Sequence, residues 1–72
     1  MAQQRKKNVY CLRIRRSDSE PWSEPAYFRT SAERNNAERV NRIIGGVRTH
    51  SYEESKTPDE IETMVQNEQF AT

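Results

Sequence analysis

The fold depends on one stretch of the sequence, residues 42–52, which reads RIIGGVRTHSY. It holds both glycines of the chain and its only histidine. Apolar residues before the glycines recur at helical spacing, whereas those after them alternate, so the pair predicts the end of a helix and the start of a strand. A phosphate-binding loop needs a strand first and a helix second. The stretch therefore predicts a structural joint and not a phosphate site.

The helix before this joint has a recognisable start. Thr30 followed by Glu33 fits a capping box, in which each side chain satisfies a free backbone amide of the first turn. Four residues then recur on one side and predict an apolar stripe: Ala37, Val40, Ile43 and Ile44.

The chain upstream of that helix predicts a β-hairpin. Residues 8–16, NVYCLRIRR, alternate between apolar and polar and predict a half-buried strand. Residues 17–25, SDSEPWSEP, supply the loop and place Trp22 over a sheet edge, and residues 26–30, AYFRT, predict the second strand. After the joint, alternation resumes in VRTHSY, residues 47–52, which predicts a third strand.

A second, shorter helix is predicted from TPDE, residues 57–60, because Thr57 suits the cap, Pro58 the first turn and Glu60 the closing of a capping box. The order β-β-α-β predicts a single α+β domain. Its sheet is antiparallel with strand order 2-1-3, and one helix crosses one face.

The predicted domain occupies residues 8–55. A flexible basic arm, residues 1–7, precedes it, and an acidic segment, residues 56–72, follows as a short helix and frayed tail. Residues 1–50 carry eleven basic and five acidic side chains, whereas residues 51–72 carry one basic and six acidic side chains. This separation predicts an electropositive body that attracts an anionic surface.

Composition limits the class of protein. Hydrophobic residues make up 32% of the chain, the mean hydropathy is −1.17, and Cys11 is the single cysteine. An intramolecular disulfide is therefore excluded, and we expect a soluble cytoplasmic protein with no membrane span, since no apolar run approaches the length of one.

The strands predict one face toward the helix and one open face. Leu12, Ile14, Phe28 and Val47 are expected to face the helix. Seven residues on the open face are candidates for binding a partner: Arg13, Arg15, Tyr27, Arg29, Arg48, His50 and Tyr52. Arginine and tyrosine suit an acidic protein surface, and they equally suit single-stranded nucleic acid. A different arrangement stays open, in which the C-terminal helix lies over this face and Ile61 and Met64 cover Tyr27 and Tyr52.

Catalytic chemistry has little support in the sequence. His50 is the only histidine, and no acid is placed to orient it. Metal binding by His50 with Glu53 or Glu54 lacks a third ligand at a recognised spacing. We therefore expect a non-enzymatic protein without a cofactor or a bound metal.

The pattern over residues 6–52 resembles that of small phage-encoded inhibitors of bacterial RNA polymerase. The resemblance rests on a basic first strand, an EP dipeptide before a short aromatic second strand, a capped helix, and a glycine turn into an arginine-bearing third strand. It implies a host-takeover protein whose third-strand arginine, here Arg48, contacts an acidic surface of the polymerase. His50 and Tyr52 depart from the family pattern.

Three functions follow as hypotheses. The first is a protein that inhibits or modulates a macromolecular partner, such as host RNA polymerase, through its basic and aromatic sheet face. The second is direct binding of single-stranded RNA or DNA by the same face, aided by the basic arm. In the third, the acidic tail acts as a nucleic-acid mimic. Exposed sheet edges leave both a monomer and a sheet-edge homodimer open.

Overall fold

The computed structural model describes residues 5–71. Its elements in chain order are β1 (Lys7–Arg15), β2 (Ala26–Phe28), α1 (Ser31–Ile43), β3 (Arg48–Lys56) and α2 (Pro58–Gln66). The strands form one antiparallel sheet in the order β2-β1-β3, so the predicted fold is confirmed. Residues 1–4 of the predicted arm lie outside the described residues, as does Thr72.

The register of the central strand β1 defines the two faces of the sheet. Cys11 lies opposite Tyr27 of β2 and Tyr52 of β3. Because opposite residues share a face and successive residues alternate, one face carries Cys11, Arg13 and their partners. This is the Cys11 face, and the opposite side, which carries Tyr10, Leu12 and Ile14, is the Leu12 face.

Helix α1 crosses the Leu12 face with a polar side toward the sheet. The Arg34 guanidinium lies 5.4 Å from the centre of the Tyr10 ring, and the Thr49 hydroxyl donates to the Glu38 carboxylate at 3.1 Å. No residue of α1 is buried. The half-buried residues recur at helical spacing and mark the side toward the sheet: Arg34, Ala37, Glu38 and Asn41.

The predicted apolar stripe of α1 is therefore turned away from the core. Ala37 alone is half-buried, while Val40, Ile43 and Ile44 are 44%, 65% and 80% exposed.

The start of α1 also differs in part from a capping box. Thr30 Oγ1 accepts from the Glu33 amide at 3.2 Å, but the Glu33 carboxylate accepts from the Thr30 hydroxyl.

The glycine pair forms the predicted joint between α1 and β3. Gly46 has φ +65°, a left-handed conformation that a residue with a side chain rarely adopts. A Cβ atom on Gly45 would lie 2.7 Å from the Asn41 carbonyl oxygen. Val47 N then donates to that same oxygen at 3.3 Å, which closes the turn. Both glycines are explained by helix termination.

Helix α2 lies on the Cys11 face. Its Met64 is 7% exposed and packs with Val9 and Cys11, and four half-buried side chains surround this cluster: Tyr27, Tyr52, Ile61 and Phe70. The arrangement in which the C-terminal helix covers the face is thus the one formed, at one end of the sheet. The predicted capping box is complete, since Glu60 N donates to Thr57 Oγ1 at 3.2 Å and Thr57 N donates to Glu60 Oε1 at 2.9 Å.

The segment after α2 is also held against the sheet. Ala71 N donates to the Tyr27 carbonyl at 2.8 Å, and Phe70 forms a parallel bridge with Tyr27. The sequence predicts a frayed tail that includes Phe70, whereas in the structure Phe70 and Ala71 pair with Tyr27. Neither helix within residues 5–71 has the length and apolar character needed to cross a membrane.

Candidate functional site

Helix α2 divides the Cys11 face into two halves. The half beneath the helix is apolar and contains Cys11, which is fully buried. The other half begins at Arg13 and runs toward the Arg15 end of β1. We call it the open half, and it contains the candidate site.

A row of three aromatic rings runs across the open half. The His50 and Tyr52 rings are 5.2 Å apart between centroids and stack at 26°, and the Trp22 and His50 rings are 5.7 Å apart at 41°. We call this row the ring ladder. Alternation along β3 explains the pairing of His50 with Tyr52, because these residues are two positions apart and therefore project from the same face.

Trp22 joins the ring ladder from the hairpin loop. The loop is fixed beside β1, because Ser23 N donates to the Ile14 carbonyl at 2.8 Å and Ile14 N donates to Ser23 Oγ at 3.0 Å. The Trp22 ring consequently lies over the sheet face, where the sequence predicts a position over an edge. The sequence does not predict this position of Trp22, because nothing in the sequence distinguishes Ser23, which anchors the loop to β1, from the other serines of the loop. The available signal is a single tryptophan beside a face rich in arginine and tyrosine.

Two arginines of β1 lie against the ring ladder. Arg13 Nε donates to the Tyr52 hydroxyl at 3.1 Å, and the Arg13 guanidinium carbon lies 5.8 Å from the centre of that ring. This hydrogen bond raises the pKa of Arg13 above its usual value, which favours the charged form. The Arg15 guanidinium lies 4.3 Å from the centre of the Trp22 ring, within the range of a cation–π contact.

Arg48 completes the open half at its far end. It lies directly opposite Arg15 in the register of β1 and β3. Asp18 contacts both arginines, with Oδ1 3.0 Å from Arg48 Nε and 3.4 Å from Arg15 Nη2. Five of the seven predicted residues are thereby brought together: Arg13, Arg15, Arg48, His50 and Tyr52.

The other two predicted residues lie at the covered end. Tyr27 packs against the apolar cluster, and burial, followed by the Glu54 carboxylate, raises the pKa of its hydroxyl. The Arg29 guanidinium lies 4.9 Å from the centre of the Phe70 ring. Both residues contact the C-terminal segment, so neither extends the ring ladder.

The thiol of Cys11 is not arranged for reactivity. It is fully buried, and that burial is the main cause that raises its pKa. The protonated thiol is therefore favoured, and it is a poor nucleophile. Within residues 5–71, no group of three histidine, cysteine, aspartate or glutamate side chains is placed to hold a metal ion.

The open half combines fixed aromatic rings with guanidinium groups that keep hydrogen-bonding capacity. Glu54 lines the same groove as Arg13 and the ring ladder, and Asp18 lies near its far end. The surface thus presents positive and negative groups at defined positions beside stacked rings. A comparison of the chain with protein-family models, curated proteins and solved structures finds no match.

Proposed function

We propose that this chain is a non-enzymatic binding protein that inhibits or modulates a macromolecular machine by covering an acidic protein surface with its open half. The observation that carries the proposal is the ring ladder, with Arg13 and Arg15 held against it. Tryptophan, tyrosine and arginine are the residues that most often anchor protein interfaces, since they bury a large area in a stiff side chain.

The geometry of the rings favours a protein partner over single-stranded nucleic acid. Bases stack on free aromatic faces. In the ring ladder, His50 lies between two rings, and one side of Trp22 is occupied by Arg15. The ring faces that these contacts occupy are not free to stack on bases, whereas the guanidinium N–H donors beside the rings suit the carboxylates of a protein.

The charge pattern supports the same choice. A nucleic-acid backbone presents phosphates at regular intervals, so it is best met by a continuous basic surface. Here Glu54 lines the groove beside Arg13, and Asp18 lies between Arg15 and Arg48. Basic groups separated in this way suit an acidic protein surface, whose carboxylates stand at separate positions and can each meet one guanidinium group.

Bacterial RNA polymerase is the first partner to test, because the pattern over residues 6–52 resembles that of its phage-encoded inhibitors. The test measures binding of the full chain to purified polymerase and, separately, to a single-stranded oligonucleotide. We expect Arg13→Ala and Trp22→Ala each to weaken polymerase binding by about tenfold, the effect of an interface anchor. Arg39→Ala is the matched control, since it removes the same charge from α1, which lies on the opposite face of the sheet.

Other outcomes would contradict the proposal. Equal effects of Arg13→Ala and Arg39→Ala would exclude the open half as the interface. Binding of the oligonucleotide alone, with a steep loss of affinity as salt rises, would favour the nucleic-acid alternative. If the polymerase does not bind, the second experiment is capture of a partner from a nuclease-treated bacterial lysate. The proposal then requires a protein that the wild-type chain captures and that Arg13→Ala does not.

The acidic-mimic alternative needs substitutions instead of a deletion. Removing α2 would remove Met64 from the apolar cluster, so loss of binding could reflect unfolding. Glu62→Gln and Glu68→Gln change exposed side chains of the C-terminal segment. Under our proposal these variants bind like the wild type, whereas under the mimic alternative they lose affinity.

A further inference from the structure

The far end of the open half places two like charges against each other. Arg15 and Arg48 are directly opposite in the antiparallel register and share the Cys11 face. Like charges in this position are unfavourable unless an anion lies between them. The chain supplies that anion itself, because a single carboxylate oxygen, Asp18 Oδ1, reaches both guanidinium groups at 3.4 and 3.0 Å.

The internal carboxylate is held weakly. The side chain of Asp18 is 70% exposed, that of Arg48 is 58% exposed, and one oxygen serves both arginines. Ion pairs this exposed to water and salt stabilise a structure only slightly. An external carboxylate that engages both arginines with two oxygens would make more contacts than Asp18 makes.

The Arg15 guanidinium, in contrast, is held in place. It lies over the Trp22 ring at 4.3 Å, and its side chain is 25% exposed. Its Nε atom is buried and has no hydrogen-bond partner among the described residues. Arg15 is thus positioned by packing. Its contact with Asp18 is made through Nη2, so a ligand in the place of Asp18 would be bound by that end of the guanidinium group.

We propose that Arg15 and Arg48 form a subsite for a carboxylate, which receives an aspartate or glutamate side chain of the partner and from which that side chain displaces Asp18. This inference rests on the proposed function and specifies one contact of its interface. A carboxylate is favoured over a phosphate because the group already in the subsite is a carboxylate, and because Asp18 stays nearby on its loop after displacement and would repel a dianion more strongly.

The test is a titration of the full ¹⁵N-labelled chain with a hexaglutamate peptide, followed by NMR at the arginine Nε–Hε signals. We expect the signals of Arg15 and Arg48 to shift, and Asp18→Asn to lower the Kd by about two- to fivefold, as removal of an exposed competing ion pair allows. Glu20→Gln is the matched control. It removes the same charge from the same loop, but its carboxylate accepts from the Arg16 amide at 3.4 Å, and within the described part of the chain no ion pair with Arg15 or Arg48 is found for it. We expect its Kd to stay close to that of the wild type.

Two further measurements make the inference falsifiable. In the double variant Asp18→Asn with Arg48→Ala, the gain in affinity should disappear. Inorganic phosphate is titrated into the wild type as a second probe, and shifts at Arg15 and Arg48 at a lower concentration than the peptide requires would overturn the assignment to a carboxylate.

Equal affinities of Asp18→Asn and Glu20→Gln, or no shift at Arg15 and Arg48, would overturn the subsite itself. The proposed function is judged separately by Arg13→Ala, since Arg13 lies outside the subsite.

Discussion

The two helices begin with the same pair of residue types and lie in different surroundings. Each starts at a threonine cap with a glutamate three residues later. Helix α1 has 13 residues and buries none of them, whereas α2 has 9 residues and buries Met64. The shorter helix completes the core because it lies on Val9 and Cys11, while the longer one meets the sheet through Arg34 and Glu38. The shortness of α2 also leaves the open half of the Cys11 face accessible.

The largest expected effect comes from removing the core side chain of α2. Met64→Ala should lower the free energy of unfolding by about 2–5 kcal/mol, the cost of deleting a buried large side chain and leaving a cavity. In a domain of 72 residues this is a large part of the total stability. Urea denaturation followed by circular dichroism measures the change.

Matched variants on both helices sharpen this contrast. Val65→Ala alters the next residue of α2, which is 41% exposed, and Ile44→Ala alters the exposed end of α1. Each of these substitutions should lower the free energy of unfolding by much less than Met64→Ala does. If Ile44→Ala destabilised the chain as much as Met64→Ala, Ile44 would have to be buried in solution, and the contrast between the helices would fail.

Local signals in the sequence were sufficient for the elements and the strand order. The Gly45–Gly46 joint, the threonine caps and the alternation of Tyr10, Leu12 and Ile14 each depend on a few neighbouring residues, and they appear in the structure. Alternation also placed Arg48, His50 and Tyr52 on one face, as their pairing with β1 requires.

Contacts between distant residues could not be obtained in this way. The rotation of α1 depends on Arg34 reaching Tyr10 and on Glu38 reaching Thr49, and neither polar pair is suggested by an apolar stripe at Val40 and Ile43. The position of Trp22 depends on Ser23 pairing with β1. Such pairs join polar residues of different elements, so hydrophobic periodicity carries no trace of them.

A smaller effect is expected from the helix caps. Thr57→Ala removes the oxygen that accepts from Glu60 N and should cost about 1 kcal/mol, a typical value for a lost cap. Thr30→Ala removes the corresponding contact of α1 but should lower the free energy of unfolding by only about 0.5 kcal/mol, because α1 buries no residue. Chemical denaturation of the two variants compares them directly. A larger loss for Thr30→Ala would show that the start of α1, and not that of α2, is the more important for folding.

The smallest expected effect is a pH dependence confined to the cap of α2. Hydrogen bonds from Thr57, first from its backbone amide and then from its side chain, lower the pKa of Glu60 below its ordinary value of 4.5. The stabilisation from ionised Glu60 is therefore fully present above about pH 4.5 and is lost as the pH falls through the lowered pKa. Glu60→Gln keeps an oxygen for the Thr57 amide but cannot ionise. The melting temperature of the wild type should exceed that of Glu60→Gln at pH 6, and the difference should shrink between pH 4.5 and 3. A difference that stayed constant over this range would mean that the capping box of α2 does not depend on the charge of Glu60.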